Sequence, residues 1–148
     1  MRVSGTKTFP TSPMKTYQLL VNPDVIVKAM PGLKSLNQVS ESLYEADIEI
    51  GVAGIKGRYQ GSIEMKDIVA PEKYTLVVKG EGPMGFMEAE VALALAAGEG
   101  ESTIVTYDGD AKVGGTVAGV GQRVLAGVSK LMINQFFSGI EREAKAQV

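Results

Sequence analysis

Between Tyr44 and Val113 apolar residues alternate with polar ones through one strand-like segment after another; beyond Val113 the period becomes that of a helix. This change of period constrains the fold more than any other feature. A sheet with one apolar face needs a cover, and only the last segment is long enough to provide it. Tyr44, Ala46, Ile48, Ile50 and Val52 alternate with Glu45, Asp47, Glu49 and Gly51. After a turn at Ala53-Gly54, the residues Ile55, Gly57, Tyr59, Gly61, Ile63 and Met65 alternate with Lys56, Arg58, Gln60, Ser62, Glu64 and Lys66. Ala70-Pro71-Glu72-Lys73 is the next turn, and Tyr74–Lys79, Phe86–Leu95 and Thr103–Val113 are three more strands. Connections this short join antiparallel neighbours.

Upstream, Arg2–Phe9 reads as a first strand. Ser12 is an N-cap and Pro13 fits the first helical position, which predicts a helix over Met14–Val21. Asn22-Pro23-Asp24 repeats the start signal for a second helix, Pro23–Met30, stopped by Pro31-Gly32. The predicted order is a strand, two short helices, five strands and one long helix, all in a single domain over residues 1–148. A curved antiparallel sheet wrapped around the last helix follows, with Gly57, Gly61 and Gly109 permitting the bend. Such a half-barrel can leave a cavity between sheet and helix.

The helical segment is expected over Val113–Phe137. Val117, Val120, Val124, Val128, Leu131 and Met132 recur at helical spacing, and Phe136 and Ile140 extend the stripe. Gly119, Gly121 and Gly127 lie along it, each weakening a helix by about 1 kcal/mol relative to alanine. Two reasons compete: close approach of the helix backbone to the sheet, or room left beside the helix for a ligand.

Composition narrows the chemistry. The chain has no histidine and no cysteine, which removes the usual general base, thiol nucleophiles, disulfides and thiolate metal sites. A net charge of −2 with both signs interspersed gives no polybasic stripe, so nucleic acid is excluded as a partner. No uniformly apolar stretch reaches the ~18 residues of a membrane span, and the first residues hold no signal-peptide block. The expectation is a cytoplasmic protein that meets a membrane only peripherally, at its inner face.

Gly80-Glu81-Gly82-Pro83-Met84-Gly85 matches G-x-G-x-x-G in form, but it joins two strands and carries Glu81, so it reads as a hairpin loop. Glu45, Asp47 and Glu49 share a strand face opposite the apolar one, as a solvated surface would, and Asp108 and Asp110 read the same way. Tyr59, Tyr107 and Arg58 could form a polar catalytic group; buried tyrosines with satisfied hydroxyls are the alternative. Seven methionines with no tryptophan point to irregular apolar space, either an ordinary core or a greasy pocket.

The chain resembles the carbon monoxide dehydrogenase CoxG family within the START/Bet v 1-like superfamily. The matching pieces are Asn22-Pro23-Asp24-Val25, Met30-Pro31-Gly32, the run from Gly51 to Gly61, Gly80-Glu81-Gly82, Val113-Gly114-Gly115, Gly119-Val120-Gly121-Gln122-Arg123 and Phe136-Phe137. They span nearly the whole chain in order. The resemblance implies the α+β helix-grip fold and an accessory protein with no covalent cofactor and no catalytic residues. It further implies a lipophilic ligand, a quinone or a lipid, and service to molybdenum hydroxylase or carbon monoxide dehydrogenase enzymes through membrane recruitment or electron-carrier coupling. Some members carry a long C-terminal extension. This chain stops at Val148, so surface contact or ligand carriage is expected in place of a tail anchor.

The expected lining of the cavity is Ile48, Ile50, Tyr59, Ile63, Met65, Met87, Val105, Tyr107, Met132 and Phe136, with Tyr59 or Tyr107 offering a hydrogen bond to the ligand. The Gly82–Phe86 loop and the Met30-Pro31-Gly32 turn are the expected entrance. Two rival readings are a small cyclase- or hydrolase-like enzyme on the same fold, and a pure protein-interaction module with a filled core.

Overall fold

The computed structural model describes residues 1–51 and 55–147; the expected turn at Ala53-Gly54, and Val52 before it, lie outside them. The strands are β1 (Arg2–Phe9), β2 (Leu33–Ser40), β3 (Leu43–Ile50), β4 (Gly57–Val69), β5 (Lys73–Gly82), β6 (Gly85–Ala97) and β7 (Thr103–Gly114). The helices are α1 (Pro13–Val21), α2 (Pro23–Ala29) and α3 (Gln122–Ala146), with a short 3-10 helix over Thr116–Val120 before α3. All seven strands form one antiparallel sheet in the order β1-β7-β6-β5-β4-β3-β2. The expected helix-grip architecture is present: a curved sheet, a long C-terminal helix, and two short helices after the first strand.

The caps are where the sequence puts them. The Ser12 hydroxyl accepts from the Lys15 amide and Asn22 Oδ1 accepts from the Asp24 amide, so each short helix starts on a side-chain cap followed by proline. Three expectations change. A strand, β2, stands between α2 and β3 where none was expected; its polar run Asn37-Gln38 and two register shifts against β3 blur its alternation, as befits an edge strand. The Gly80–Gly85 loop shrinks to a tight hairpin, because β5 and β6 continue until Gly82 faces Gly85. The long helix begins at Gln122, not near Val113: Gly115 at φ +79° and Gly121 at φ +94° break the backbone on either side of the 3-10 helix. Val113 ends up in β7, and Val117 and Val120 in the 3-10 helix.

The main core lies beneath α1, α2 and the C-terminal half of α3, and includes Phe9, Leu20, Val105, Phe137 and Ile140. A second, smaller cluster of Ile55, Tyr59 and Val117 fills the far end of the concave face under the 3-10 helix. Close backbone approach along α3 occurs instead against α2, at Gly139, where an added Cβ would lie 2.6 Å from the Ala29 Cα. At Gly119, Gly121 and Gly127 an added Cβ meets nothing within 4 Å, so those glycines do not serve helix–sheet contact.

A buried threonine triad ties the chain ends of these elements together. Thr103 Oγ1 donates to the Thr11 carbonyl at 2.7 Å, and the Thr16 hydroxyl lies 3.2 Å from Thr103 Oγ1 and 2.8 Å from Thr11 Oγ1. Thr16 and Thr103 are fully buried, so no water replaces a lost partner. Thr103→Val keeps the shape and removes the donor; we expect a loss of about 1–3 kcal/mol, read as a fall of several degrees in the thermal midpoint.

Candidate functional site

By strand register, Ile48, Ile50, Tyr59, Ile63, Met65, Met87, Val105 and Tyr107 share the concave face, with Ile48 opposite Tyr59 and Met87 opposite Gly80 and Val113. Their surroundings differ. Ile48, Ile63, Met65 and Val105 belong to the main core, and Ile50, Tyr107 and Phe136 pack half-buried against it. Tyr59 belongs to the second cluster. Met132 is half-buried on α3, and Met87 is 36% exposed near the β5–β6 hairpin.

The two clusters occupy the two ends of the concave face, and Ile50 touches both. Leu76, Val91 and Tyr107 are half-buried at the margin of the main core, with the Tyr107 ring over Gly5 of β1 and against Phe137. Gly80 lies nearer the second cluster, two residues before Gly82, which faces the Tyr59 ring, and is flanked across the ladder by Gly61 and Met87. It is buried, yet a Cβ added to it would meet nothing within 4 Å. Buried backbone with free space above it marks room that no side chain of this protein takes. Gly80 alone reports that room; at its partner Gly61 an added Cβ would run into the Lys79 backbone, so that glycine serves close approach of the strands.

The N-terminal half of α3 leans over this face with little packing. Leu125 and Val128 touch the second cluster, while Val124 and Leu131, on the adjoining helix face, remain 42% and 48% exposed. By contrast the C-terminal half is anchored by Phe137, whose ring lies 5.2 Å from Tyr107 and 6.0 Å from Phe9.

The polar groups near the site are committed elsewhere. The Tyr59 hydroxyl donates to the Ile55 carbonyl at 2.7 Å, so its proton is not available to a ligand, which corrects one of the two expected donors. Burial pushes its acidity weaker still, and does the same more strongly to Tyr74. The Tyr107 hydroxyl lies over Gly5 of β1 and has no side-chain hydrogen-bond partner among the described residues. Arg58 turns to the convex side, where it forms a two-pronged pair with Asp47, its Nε 3.0 Å from Oδ1. That pair holds the Asp47 carboxyl below its usual range, and Arg2 does the same to Asp108. The tyrosine–arginine catalytic group is therefore not assembled, and these carboxylates lie on the exposed face expected of them. Among the described residues no group of three or more acidic side chains converges as metal ligands. None of their helices is long and apolar enough to cross a membrane.

The expected entrances lie at different places. Met84, in the Gly82–Phe86 hairpin, packs on the second cluster, and its carbonyl accepts from the Val117 amide at 2.7 Å. Met30 packs on the main core, and the Gly32 carbonyl accepts from the Glu49 amide at 2.8 Å. Two open depressions mark the surface. One, of about 340 Å³, spans β4–β6 over Gly61 and Gly80, among Gln60, Lys79, Glu81, Phe86, Met87 and Glu88; the other lies between α2 and α3.

Comparison with curated proteins found no match. Among solved structures, the chain is similar to a conserved protein from Geobacillus kaustophilus, with 39% identity and a TM-score of 0.95, covering 99% of this chain and 96% of that one. It is similar in fold to a START superfamily protein from Mycobacterium smegmatis, at 12% identity and a TM-score of 0.80 over 99% of each chain. The protein Ara h 8.0201 shares the fold at 16% identity and a TM-score of 0.70, covering 99% of this chain and 98% of that one. Residues 5–145 match the carbon monoxide dehydrogenase CoxG family. With the START/Bet v 1-like sheet and helix in place and nearly the whole sequence matched, the chain belongs to the carbon monoxide dehydrogenase CoxG family.

Proposed function

We propose that this protein is a non-catalytic accessory that carries a lipophilic molecule, a quinone or a lipid, on the concave face between its two apolar clusters. Gly80 carries the reading: it is buried, and the space above it is empty of side chains. Half-buried Leu76, Val91, Ile50 and Phe136 add apolar surface along the same concave face. About ten buried methylenes contribute about 8 kcal/mol, the free energy of a micromolar complex, without any charged anchor. The lightly packed N-terminal half of α3 is the element that moves to admit the ligand. In this reading the partner is a molybdenum carbon monoxide dehydrogenase-type enzyme, and the ligand couples it to the membrane's electron carriers through peripheral contact. The lack of histidine and cysteine and the committed Tyr59 hydroxyl support carriage over catalysis.

The test is native mass spectrometry after incubation with a total membrane lipid extract, followed by organic extraction of whatever is bound. The wild-type chain is expected to retain one quinone or lipid. Gly80→Leu is expected to be folded and at least as stable, because its Cβ meets no atom and a strand gains a side chain, yet to return bare. A bare wild-type protein across the whole extract would overturn carriage and leave the interaction module standing. Retention of ligand by a folded Gly80→Leu variant would move the site elsewhere.

A further inference from the structure

A second concavity lies on a different face of α3 from Phe137 and Ile140, and it does not depend on the apolar site. It is an open groove of about 360 Å³ between the end of α2 and the C-terminal half of α3, over Ala29 and Pro31. Five side chains line it: Lys28 from the last turn of α2, and Asn134, Gln135, Ser138 and Arg142 from α3. Asn134, Ser138 and Arg142 follow one another at four-residue spacing, so they form a single row along the helix.

Its electrostatics are one-sided. Each helix contributes one cation, and no carboxylate lines the groove. Among the described residues neither Lys28 nor Arg142 is in an ion pair, whereas the neighbouring Lys145 is taken by Glu141 at 3.2 Å. Isolated surface cations are ordinary. Here two converge on one concavity, with two amides and a hydroxyl between them to complete a hydrogen-bonding shell. The Gly139–Ala29 contact brings the two helix backbones close together, so the stems of the two cations start from closely packed elements. A guanidinium offers a planar fork for two oxygens and an ammonium a mobile point charge, a pair suited to an oxyanion with several acceptor oxygens.

We propose that this groove binds a phosphate-type oxyanion, either a soluble phosphate ester or the headgroup of an anionic lipid. All five side chains are solvent-exposed, so binding is weak and salt-sensitive, with a dissociation constant of about 1 mM at low salt. Backbone amide NMR of the isotope-labelled full chain, titrated with glycerol phosphate, tests it. Saturable shifts are expected at Lys28, Ser138 and Arg142. Lys28→Gln and Arg142→Gln should each weaken binding about fivefold, and the double variant should lose saturation while keeping a folded spectrum. Co-sedimentation with phosphatidylglycerol vesicles, against phosphatidylcholine vesicles, separates the two sources. Vesicle binding that disappears in the double variant assigns the lipid headgroup; a glycerol phosphate response without vesicle binding assigns the soluble ester. No saturable shift, or a response unchanged in the double variant, overturns the site. Because the Gly80→Leu variant leaves this groove intact, failure here and failure of the apolar carrier reading are distinguishable.

Discussion

Gly139→Val should destabilise the protein by about 3 kcal/mol or more, out of a total of about 5–15 kcal/mol. A Cβ at this position would lie 2.6 Å from the Ala29 Cα, 2.7 Å from its Cβ and 3.1 Å from its carbonyl oxygen, so backbone has to move. Both partners are buried, which leaves no route to solvent for the added methyls. The helix propensity gained by replacing glycine offsets less than about 1 kcal/mol. Gly127→Ala is the matched control in the same helix. Its Cβ meets nothing within 4 Å, so propensity acts alone and the variant should be about 1 kcal/mol more stable than wild type. Urea denaturation of the two variants decides the matter. If both shift in the same direction, the two halves of α3 are packed alike, and the asymmetry proposed for the carrier site is wrong.

That contrast also marks how far the sequence could be followed. Alternation from Tyr44 to Val113, the proline-led caps at Ser12 and Asn22, and the final helical period are enough for six of the seven strands, the short helices and the closing helix. The family resemblance then supplied the name of the fold. What escaped was set by tertiary contact. Edge strand β2 keeps only Leu33 buried, so its pattern carries no apolar face to read. The break before α3 depends on positive φ at Gly115 and Gly121, which a run of glycines and valines at nearly helical spacing conceals. Gly119, Gly121 and Gly127 stand out in the sequence because they punctuate a helical period, whereas a glycine that packing requires, Gly139 against α2, follows them without a pattern to mark it. Tyr59 is buried, as its place in the alternation predicts, but the partner of its hydroxyl, the carbonyl of Ile55 four residues earlier, depends on the local turn of the backbone.

Replacing Phe137 with alanine should cost about 3–5 kcal/mol, against about 1 kcal/mol for Phe136→Ala. The two phenylalanines are adjacent, so helical geometry turns them about 100° apart and only one can point into the centre of the core. Phe137 does: it is 4% exposed and its ring meets Phe9, Tyr107 and Phe136, with centroids 6.0, 5.2 and 5.4 Å away. Phe136 remains half-buried at the edge of the same cluster. Truncating the first removes a ring on which β1, β7 and α3 converge and leaves a cavity that fully buried Ile140 and Val105 cannot collapse to fill. Truncating the second enlarges a space that is already partly open. The pair therefore separates two jobs within one dipeptide. Phe136→Ala should leave the urea midpoint nearly unchanged and lower retention of lipid or quinone in the mass-spectrometric assay, because the carrier reading places Phe136 on the lining. Phe137→Ala should lower the midpoint steeply, and its ligand loss should track the unfolded fraction. Equal destabilisation by both would overturn the helix phase on which the apolar site depends; a stable Phe136→Ala variant with undiminished ligand would leave the phase intact and remove Phe136 from the lining.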